Sequence, residues 1–172
     1  MVHPIERLQL AILGTGAMAE AIMQGLIAHG LLKPTQIIGY DIRADRLRSL
    51  SENLGIRTAG SVAELLAQAD AVILAVKPQH MADVFRSVSG NVRSQTLYVS
   101  IAAGISIARL EAGLGKGVPV IRVMPNTPAL VGRGVSVLSR GTHATDNDVA
   151  LVRTLFAAVG ETFGVEEPLV DA

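Results

Sequence analysis

Short apolar segments of strand length alternate with helix-length segments along this 172-residue chain. A continuous apolar run such as Ala71–Val76 is typical of a strand buried on both faces of a parallel sheet. The other segments predicted as strands are Leu8–Leu13, Gln36–Asp41, Ile56–Ala59, Thr96–Ile101, Val118–Met124 and Ser136–Leu138. This alternation predicts an α/β fold with a doubly wound, Rossmann-type, mostly parallel sheet and helices on both faces.

The segments between these strands carry helix start and stop signals. Gly30 and Gly55 are placed to end the first two helices, predicted at about 16–29 and 44–54. Ser61 with Glu64 has the spacing of a capping box, and Thr145 is predicted to cap the last helix. The remaining helices are predicted near 61–69, 79–87, after Ser106, and 145–159.

Composition narrows the possible functions. Hydrophobic residues make up 49% of the chain and aromatic residues 3%, so the core is predicted to be aliphatic. Fifteen basic residues balance 15 acidic ones, which argues against nucleic-acid or membrane-surface partners. There is no cysteine and no long apolar segment, and we expect a cytoplasmic protein.

The strongest local motif is G-x-G-x-x-A, from Gly14 through Thr15, Gly16, Ala17 and Met18 to Ala19. It follows the first predicted strand and opens the first helix, which is the context of a dinucleotide site. There the first glycine makes a tight turn and the second lets a pyrophosphate approach the helix N-terminus. The motif predicts a bound NAD(P), against the alternative of a glycine turn without a ligand.

The nucleotide preference stays open at this stage. Asp41 ends the second predicted strand, where a carboxylate accepts hydrogen bonds from ribose hydroxyls and repels a 2′-phosphate. Arg43 and Arg46 follow closely, and a guanidinium there would hold the 2′-phosphate of NADP. We therefore predict NADPH or NADH as the cofactor without a choice between them.

Three later segments leave the carboxyl ends of predicted strands, where ligands of such sheets bind. They are Ala75-Val76-Lys77-Pro78, Ala102-Ala103-Gly104 and Met124-Pro125-Asn126-Thr127-Pro128. The second segment, Ala102-Ala103-Gly104, consists of small residues, so a flat ring could approach its backbone. In the third, each proline restrains the residue before it, and Asn126 offers an amide between them.

Other kinds of site have little support. The four histidines lie far apart in sequence and near no carboxylate at metal-ligand spacing, so no metal is predicted. Ser100 and Ser106 lack the G-x-S-x-G setting of a hydrolase nucleophile.

Four segments together resemble the pyrroline-5-carboxylate reductases. They are ILGTGAMAEAI, LAVKPQ, VSIAAGIS and VMPNTPALVGRG, in this order and spacing, and they span nearly the whole chain. The resemblance implies reduction of 1-pyrroline-5-carboxylate to L-proline with NAD(P)H, in proline biosynthesis. It places the cofactor against Gly14–Met18, Ala75–Pro78 and Ala102–Gly104, with Asn126 and Thr127 lining the nicotinamide side.

Members of that family carry a further helical domain, which forms a homodimer or larger oligomer and contacts the substrate. We therefore expect this chain to be the cofactor-binding half, with residues 1–165 as the NAD(P)-binding domain and 166–172 as the start of a linker. Catalytic residues are expected largely in that other domain. Two alternatives stay open: an NAD(P)-sensing module without turnover, and another imine or β-hydroxyacid dehydrogenase.

Overall fold

Eight strands form one sheet within residues 4–171, the part of the chain described by the computed structural model. The strands are β1 (Leu10–Leu13), β2 (Ile37–Tyr40), β3 (Arg57–Thr58), β4 (Ala71–Leu74), β5 (Leu97–Ser100), β6 (Val120–Pro125), β7 (Gly134–Arg140) and β8 (Gly160–Gly164). Their order across the sheet is β3-β2-β1-β4-β5-β6-β7-β8. The pairs from β3 to β6 are parallel, β7 runs antiparallel to β6, and β8 runs parallel to β7.

Six α-helices connect these strands in the described residues. They are α1 (Ala17–Ala28), α2 (Ala44–Leu54), α3 (Val62–Ala67), α4 (Met81–Val88), α5 (Ile107–Leu114) and α6 (Asp146–Phe156). Short 3-10 helices lie at Pro34–Gln36, Pro78–His80, Thr127–Val131, Ala157–Val159 and Glu167–Leu169. The predicted doubly wound, mostly parallel α/β fold is confirmed.

Side chains that alternate along each strand build two separate cores, one on each face of the sheet. In β1, Leu10 and Ile12 pack in the core that contains Ile22 of α1 and Phe156 of α6. Ala11 and Leu13 point to the opposite face and share a core with residues of α3, α4 and α5. All four β1 residues are buried, which explains why the strand is uniformly apolar.

Most predicted boundaries agree with the structure to within one to three residues. The second helix runs over Ala44–Leu54 as predicted, and Gly55 ends it with a φ of 73°. The Ser61 side chain accepts from the Glu64 N–H, but the Glu64 carboxylate accepts from the Gly60 N–H, so this capping box is only half formed. At the last helix Thr145 and Asp148 form the complete box.

The last strand, β8, is absent from the sequence-based prediction. Its sequence, Gly160–Gly164, has glycine at both ends, and Phe163 is half exposed, so no apolar run marks it. The residues after it, which the sequence predicts as a linker from 166 onward, pack against the sheet: Glu167–Leu169 forms a 3-10 helix and Val170 is buried.

Candidate cofactor-binding site

The segments predicted to bind a cofactor meet at one edge of the sheet. Because β1, β2, β4, β5 and β6 are parallel, their carboxyl ends lie at the same edge. The Gly14–Met18 turn leaves β1, and the turns after β4, β5 and β6 follow beside it in the sheet order. Such an edge, where connections lead to opposite faces, is where ligands of open α/β sheets bind.

Gly14 makes the turn between β1 and α1. Its N–H donates to the Tyr40 carbonyl at 2.9 Å, and its φ is +92°. A Cβ built at this position would lie 2.8 Å from the carbonyl oxygen of Ala75. Position 14 therefore needs glycine for the fold itself, since both the backbone conformation and the space exclude a side chain.

Gly16 has the opposite surroundings. It is the N-cap of α1 with a φ of −68°, and a Cβ built there meets no atom within 4 Å. The first helical hydrogen bond runs from the Glu20 N–H to the Gly16 carbonyl, so the N–H groups of Ala17 to Ala19 precede it. Free N–H groups and the helix dipole at such an end favour an anionic group, and a pyrophosphate fits this open space.

Asp41 holds the glycine turn from the end of β2. Its Oδ2 accepts from the backbone N–H and the side-chain hydroxyl of Thr15, both at 2.8 Å, while the Thr15 side chain is fully buried. Its Oδ1 accepts from the N–H and Nε of Arg43 at 3.0 and 3.1 Å. Burial opposes ionisation of Asp41, but the bonds from Arg43 and Thr15 outweigh it and hold the pKa of this carboxyl far below its usual value.

The two arginines that follow have different surroundings. The Arg43 side chain is 55% exposed and pairs with Asp41, so part of its guanidinium faces outward. Arg46 is turned inward, because its Nε donates to the Thr15 carbonyl at 2.8 Å and its Nη2 donates to Glu20 at 2.5 Å. Arg46 therefore stabilises the glycine turn and the first turn of α1. Arg43 is the arginine that a nucleotide could reach.

The turns after β4 and β5 present mainly backbone to this edge. Ala75 continues the ladder by donating to the Leu13 carbonyl at 2.8 Å, and Lys77 is exposed just before the 3-10 helix that starts at Pro78. After β5, Ala102 is buried while Ala103 and Gly104 are exposed. Gly104 has a φ of +69°, which favours glycine at this point of the turn.

The Met124–Pro128 corner closes the connection between β6 and β7. The Asn126 N–H donates to the Val135 carbonyl at 3.1 Å, and the Val135 N–H donates to Asn126 Oδ1 at 2.9 Å. Thr127 then starts a 3-10 helix that ends at Gly132, whose φ is 73°. The side-chain oxygen of Asn126 is thus used by the hairpin, and Asn126 as a whole is exposed.

One group of residues at this edge was not predicted from the sequence. Arg122 lies in β6 with a side chain that is 3% exposed, and it forms ion pairs with Glu167 and Asp171 near the end of the chain. The available signal was a lone arginine inside the apolar run Val118–Met124. A buried charge needs an ionic partner, but the run does not show which acid supplies it.

The family profile described as "NADP oxidoreductase coenzyme F420-dependent" matches residues 9–104, more than half of the chain. This chain belongs to that family. The match covers β1 to β5 and the turn that ends at Gly104, so it includes most of the candidate site.

Individual relatives are pyrroline-5-carboxylate reductases, and the resemblance to them is confirmed. The enzyme of Methanosarcina acetivorans is 36% identical over 98% of this chain and 62% of its own length. That of Arabidopsis thaliana is 37% identical over 98% of this chain and 61% of its own. The chain thus spans about three fifths of the length of these relatives.

Solved structures of pyrroline-5-carboxylate reductases also superpose on this chain. The pyrroline-5-carboxylate reductase of Coxiella burnetii superposes with a TM-score of 0.88 at 29% identity, covering 94% of this chain and 60% of that one. The Plasmodium falciparum enzyme, solved with NADP bound, has a TM-score of 0.84 at 26% identity, over 95% of this chain and 60% of its own. A prephenate dehydrogenase from A. aeolicus, at 18% identity and a TM-score of 0.78, covers 94% of this chain and 61% of its own and shares the fold.

Residues 4–171 contain no group of three or more His, Cys, Asp or Glu side chains placed to hold a metal ion. None of their helices is both long and apolar enough to cross a membrane.

Proposed function

We propose that this chain binds NADPH, and NADH more weakly, at the carboxyl edge of its sheet. The observation that carries the proposal is the open space at Gly16 beside the first N–H groups of α1. Within this one turn, the fold requires glycine at Gly14, whereas the fold leaves room for a side chain at Gly16. A fold that needed only a tight turn would not need the second glycine.

The preference for NADPH rests on the engagement of Asp41. A carboxylate that selects NADH accepts a hydrogen bond from the ribose 2′-hydroxyl. Here both carboxylate oxygens already accept from Thr15 and Arg43. The paired Arg43 offsets the carboxylate charge and is exposed, so it is the group proposed to meet a 2′-phosphate.

The proposed reaction is reduction of 1-pyrroline-5-carboxylate to L-proline by the enzyme to which this chain belongs. The cofactor, when bound, supplies a hydride to C5 of the cyclic imine, and a proton ends on the ring nitrogen. The relatives named for this activity, at 36–37% identity over 98% of the chain, support the substrate class. No residue of this chain is assigned as the proton donor.

The chain's own contribution is proposed to be binding and orientation. The Ala102–Gly104 backbone and the corner at Asn126 and Thr127 would flank the nicotinamide, with Ala75–Pro78 along the cofactor between them and the glycine turn. Fixing two reactants in attack geometry is worth about 7–11 kcal/mol of a reaction barrier. Homo-oligomerisation stays a prediction from the family resemblance, and a cytoplasmic location stays a prediction from the composition.

Titration of the purified chain with NADPH and with NADH, followed by nicotinamide fluorescence, tests the binding proposal. We expect saturable binding with the lower Kd for NADPH. A turnover assay with pyrroline-5-carboxylate is run beside the titration. Since catalytic residues are expected largely in another domain, we expect binding with negligible turnover, and a rate of about 1 per second or faster would place the substrate site within these residues. Absence of binding to either nucleotide would refute the proposal, and tighter binding of NADH would refute the role given to Arg43.

A further inference from the structure

The glycine turn contains three consecutive peptide groups, and each of them has a hydrogen-bond partner outside the turn. The N–H of the first peptide, between Gly14 and Thr15, donates to Asp41 Oδ2 at 2.8 Å. The carbonyl of the second peptide, between Thr15 and Gly16, accepts from Arg46 Nε at 2.8 Å. The carbonyl of the third, which belongs to Gly16, accepts the first helical bond of α1 at 3.0 Å. Arg46 is thus the side chain that holds the middle peptide.

The direction of the Thr15 carbonyl also sets the direction of the Gly16 N–H. Both groups belong to one planar trans peptide, so they point in opposite directions. Since the carbonyl is directed at Arg46 in α2, the Gly16 N–H points away from that side chain. It belongs to the residue at which an added Cβ meets no atom within 4 Å. The bond from Arg46 therefore fixes the direction of a backbone donor at the position proposed for the pyrophosphate.

Gly16 leaves this middle peptide free to rotate. A peptide between two fixed neighbours can turn over as a plane, as between type I and type II turns, when the residue after it accepts a positive φ. Gly16 has a φ of −68°, and glycine adopts positive φ about as readily as negative φ. The residue that leaves room for a pyrophosphate thus gives the Thr15–Gly16 peptide no conformational restraint of its own. The hydrogen bond from Arg46 supplies that restraint.

The guanidinium of Arg46 is itself held in place. Its Nη2 donates to Glu20 Oε2 at 2.5 Å, in the first turn of α1, and the two side chains are only 24% and 29% exposed. A planar guanidinium that donates in two directions at once is fixed in orientation, whereas an ammonium on a flexible stem is not. The ion pair also offsets the negative charge of Glu20, which lies close to the proposed site of an anionic group.

We propose that Arg46 is a positioning residue for the pyrophosphate of the bound nucleotide. It acts through the Thr15–Gly16 peptide, whose N–H it keeps directed at the pyrophosphate, and not by contact with the nucleotide. This inference rests on the proposed function, because it assigns the glycine turn to the pyrophosphate. The role differs from that of Arg43, since NADPH and NADH share the pyrophosphate whereas only NADPH carries the 2′-phosphate.

The test removes the bond to Thr15 with and without a change in net charge. Arg46→Met deletes the guanidinium and keeps an aliphatic stem, but it leaves the charge of Glu20 without its ion pair. Arg46→Met combined with Glu20→Gln removes the same bond and leaves the summed charge of the two positions unchanged. Arg48→Met is the matched control, since Arg48 is an exposed arginine of the same helix.

Three quantities are measured for each variant. Titration gives the Kd for NADPH and for NADH, and thermal unfolding shows that the variant is folded. Residual dipolar couplings of the nucleotide-free chain, measured by NMR, report the orientation of the Gly16 N–H relative to the N–H groups of α1.

For both Arg46 variants we expect a changed Gly16 coupling, with unchanged couplings in the rest of α1. The Kd should rise at least about fivefold, and by the same factor for NADPH and NADH. This is less than the roughly tenfold effect of losing one hydrogen bond to a charged group, because the rotating N–H still returns to its original direction. Arg48→Met should change neither the coupling nor the Kd.

An unchanged Gly16 coupling in the Arg46 variants would overturn the positioning role, whatever the Kd. A changed coupling with an unchanged Kd in the charge-neutral double variant would overturn it as well, because this N–H would then not hold the pyrophosphate. A loss confined to NADPH would also overturn it, by placing Arg46 at the 2′-phosphate. Failure of the parent chain to bind either nucleotide would instead refute the proposed function, before any variant is compared.

Discussion

Two glycines of one turn should respond to substitution in opposite ways. At Gly14, alanine would have to adopt a φ of +92° and place its Cβ 2.8 Å from the Ala75 carbonyl oxygen. Backbone strain and overpacking each cost about 1–3 kcal/mol. We expect Gly14→Ala to lose about 3 kcal/mol of unfolding free energy, which for a chain of this size lowers the melting temperature by about 6–12 °C.

At Gly16 the same reasoning predicts almost no change in stability. The backbone is extended, with φ of −68° and ψ of −173°, and the added atoms meet open space. Replacing an N-cap glycine by valine costs a few tenths of a kcal/mol up to about 1 kcal/mol. Restricting the unfolded chain returns about 0.4–1 kcal/mol. The two contributions nearly cancel, so Gly16→Val should fold with a melting temperature close to that of the parent.

NADPH affinity should respond in the reverse order, with the larger loss at Gly16 and the smaller loss at Gly14. A valine side chain at Gly16 would fill the space proposed for the pyrophosphate and separate it from the N–H groups of α1. Loss of one hydrogen bond to a charged group is worth about 1.5–3 kcal/mol, so we expect NADPH affinity to fall at least about tenfold. Gly14→Ala, measured at a temperature where it is folded, should lose less.

Calorimetry and nucleotide titration of the same preparations check this pair. A Gly16→Val variant that binds NADPH like the parent would show that the pyrophosphate does not lie at this turn. A Gly14→Ala variant as stable as the parent would show that the turn relaxes at little cost.

The remaining predictions concern the adenosine end of the site and the corner after β6. Arg43→Met should weaken NADPH about tenfold relative to NADH, and an equal loss for both nucleotides in titration would contradict the role of the guanidinium. Asp41→Ser should shift the affinity ratio toward NADPH, because it removes the part of the carboxylate charge that Arg43 does not offset. It should also lower the melting temperature, because Thr15 loses its carboxylate acceptor; an unchanged ratio would show that the carboxylate does not repel the 2′-phosphate. Because folding lowers the pKa of Asp41, its stabilisation is complete above its unfolded-state pKa, near 3.8, and declines as pH falls below it. Urea unfolding of the parent and Asp41→Asn between about pH 3 and 6 should show a stability difference that shrinks at the acidic end. Asn126→Ala should cost about 1 kcal/mol, because the Val135 N–H loses its acceptor, and equal unfolding midpoints would contradict this.

The central part of the fold was predictable because its sequence signals are local. Ala71–Leu74 is buried on both faces, so an uninterrupted apolar run marks β4. The α2 boundaries were predictable because Gly55 adopts the left-handed conformation that ends the helix. β8 could not be predicted, since it is an edge strand whose pairing with β7 depends on the chain fold and not on its own pattern.

The sequence predicted where the backbone turns of the candidate site lie, but not the side-chain hydrogen bonds that hold those turns. Strand polarity alone brings the turns after β1, β4, β5 and β6 to one edge, so their positions follow from the element order. Hydrogen bonds between distant side chains follow no such rule. Asp41 and Thr15 are 26 residues apart, and Arg122 and Asp171 are 49 apart. Nothing in the local sequence selects these partners among the other polar residues.

This division also indicates where substitutions should affect binding. The edge proposed for the cofactor is mostly backbone, because the turns at Gly14–Met18 and Ala102–Gly104 consist largely of small residues. A backbone surface has no side chains to adjust its position, so charged residues from elsewhere hold the first turn: Asp41 accepts from the Thr15 N–H, and Arg46 donates to the Thr15 carbonyl. Substitutions of these supports should therefore change nucleotide affinity although the supports lie behind the surface.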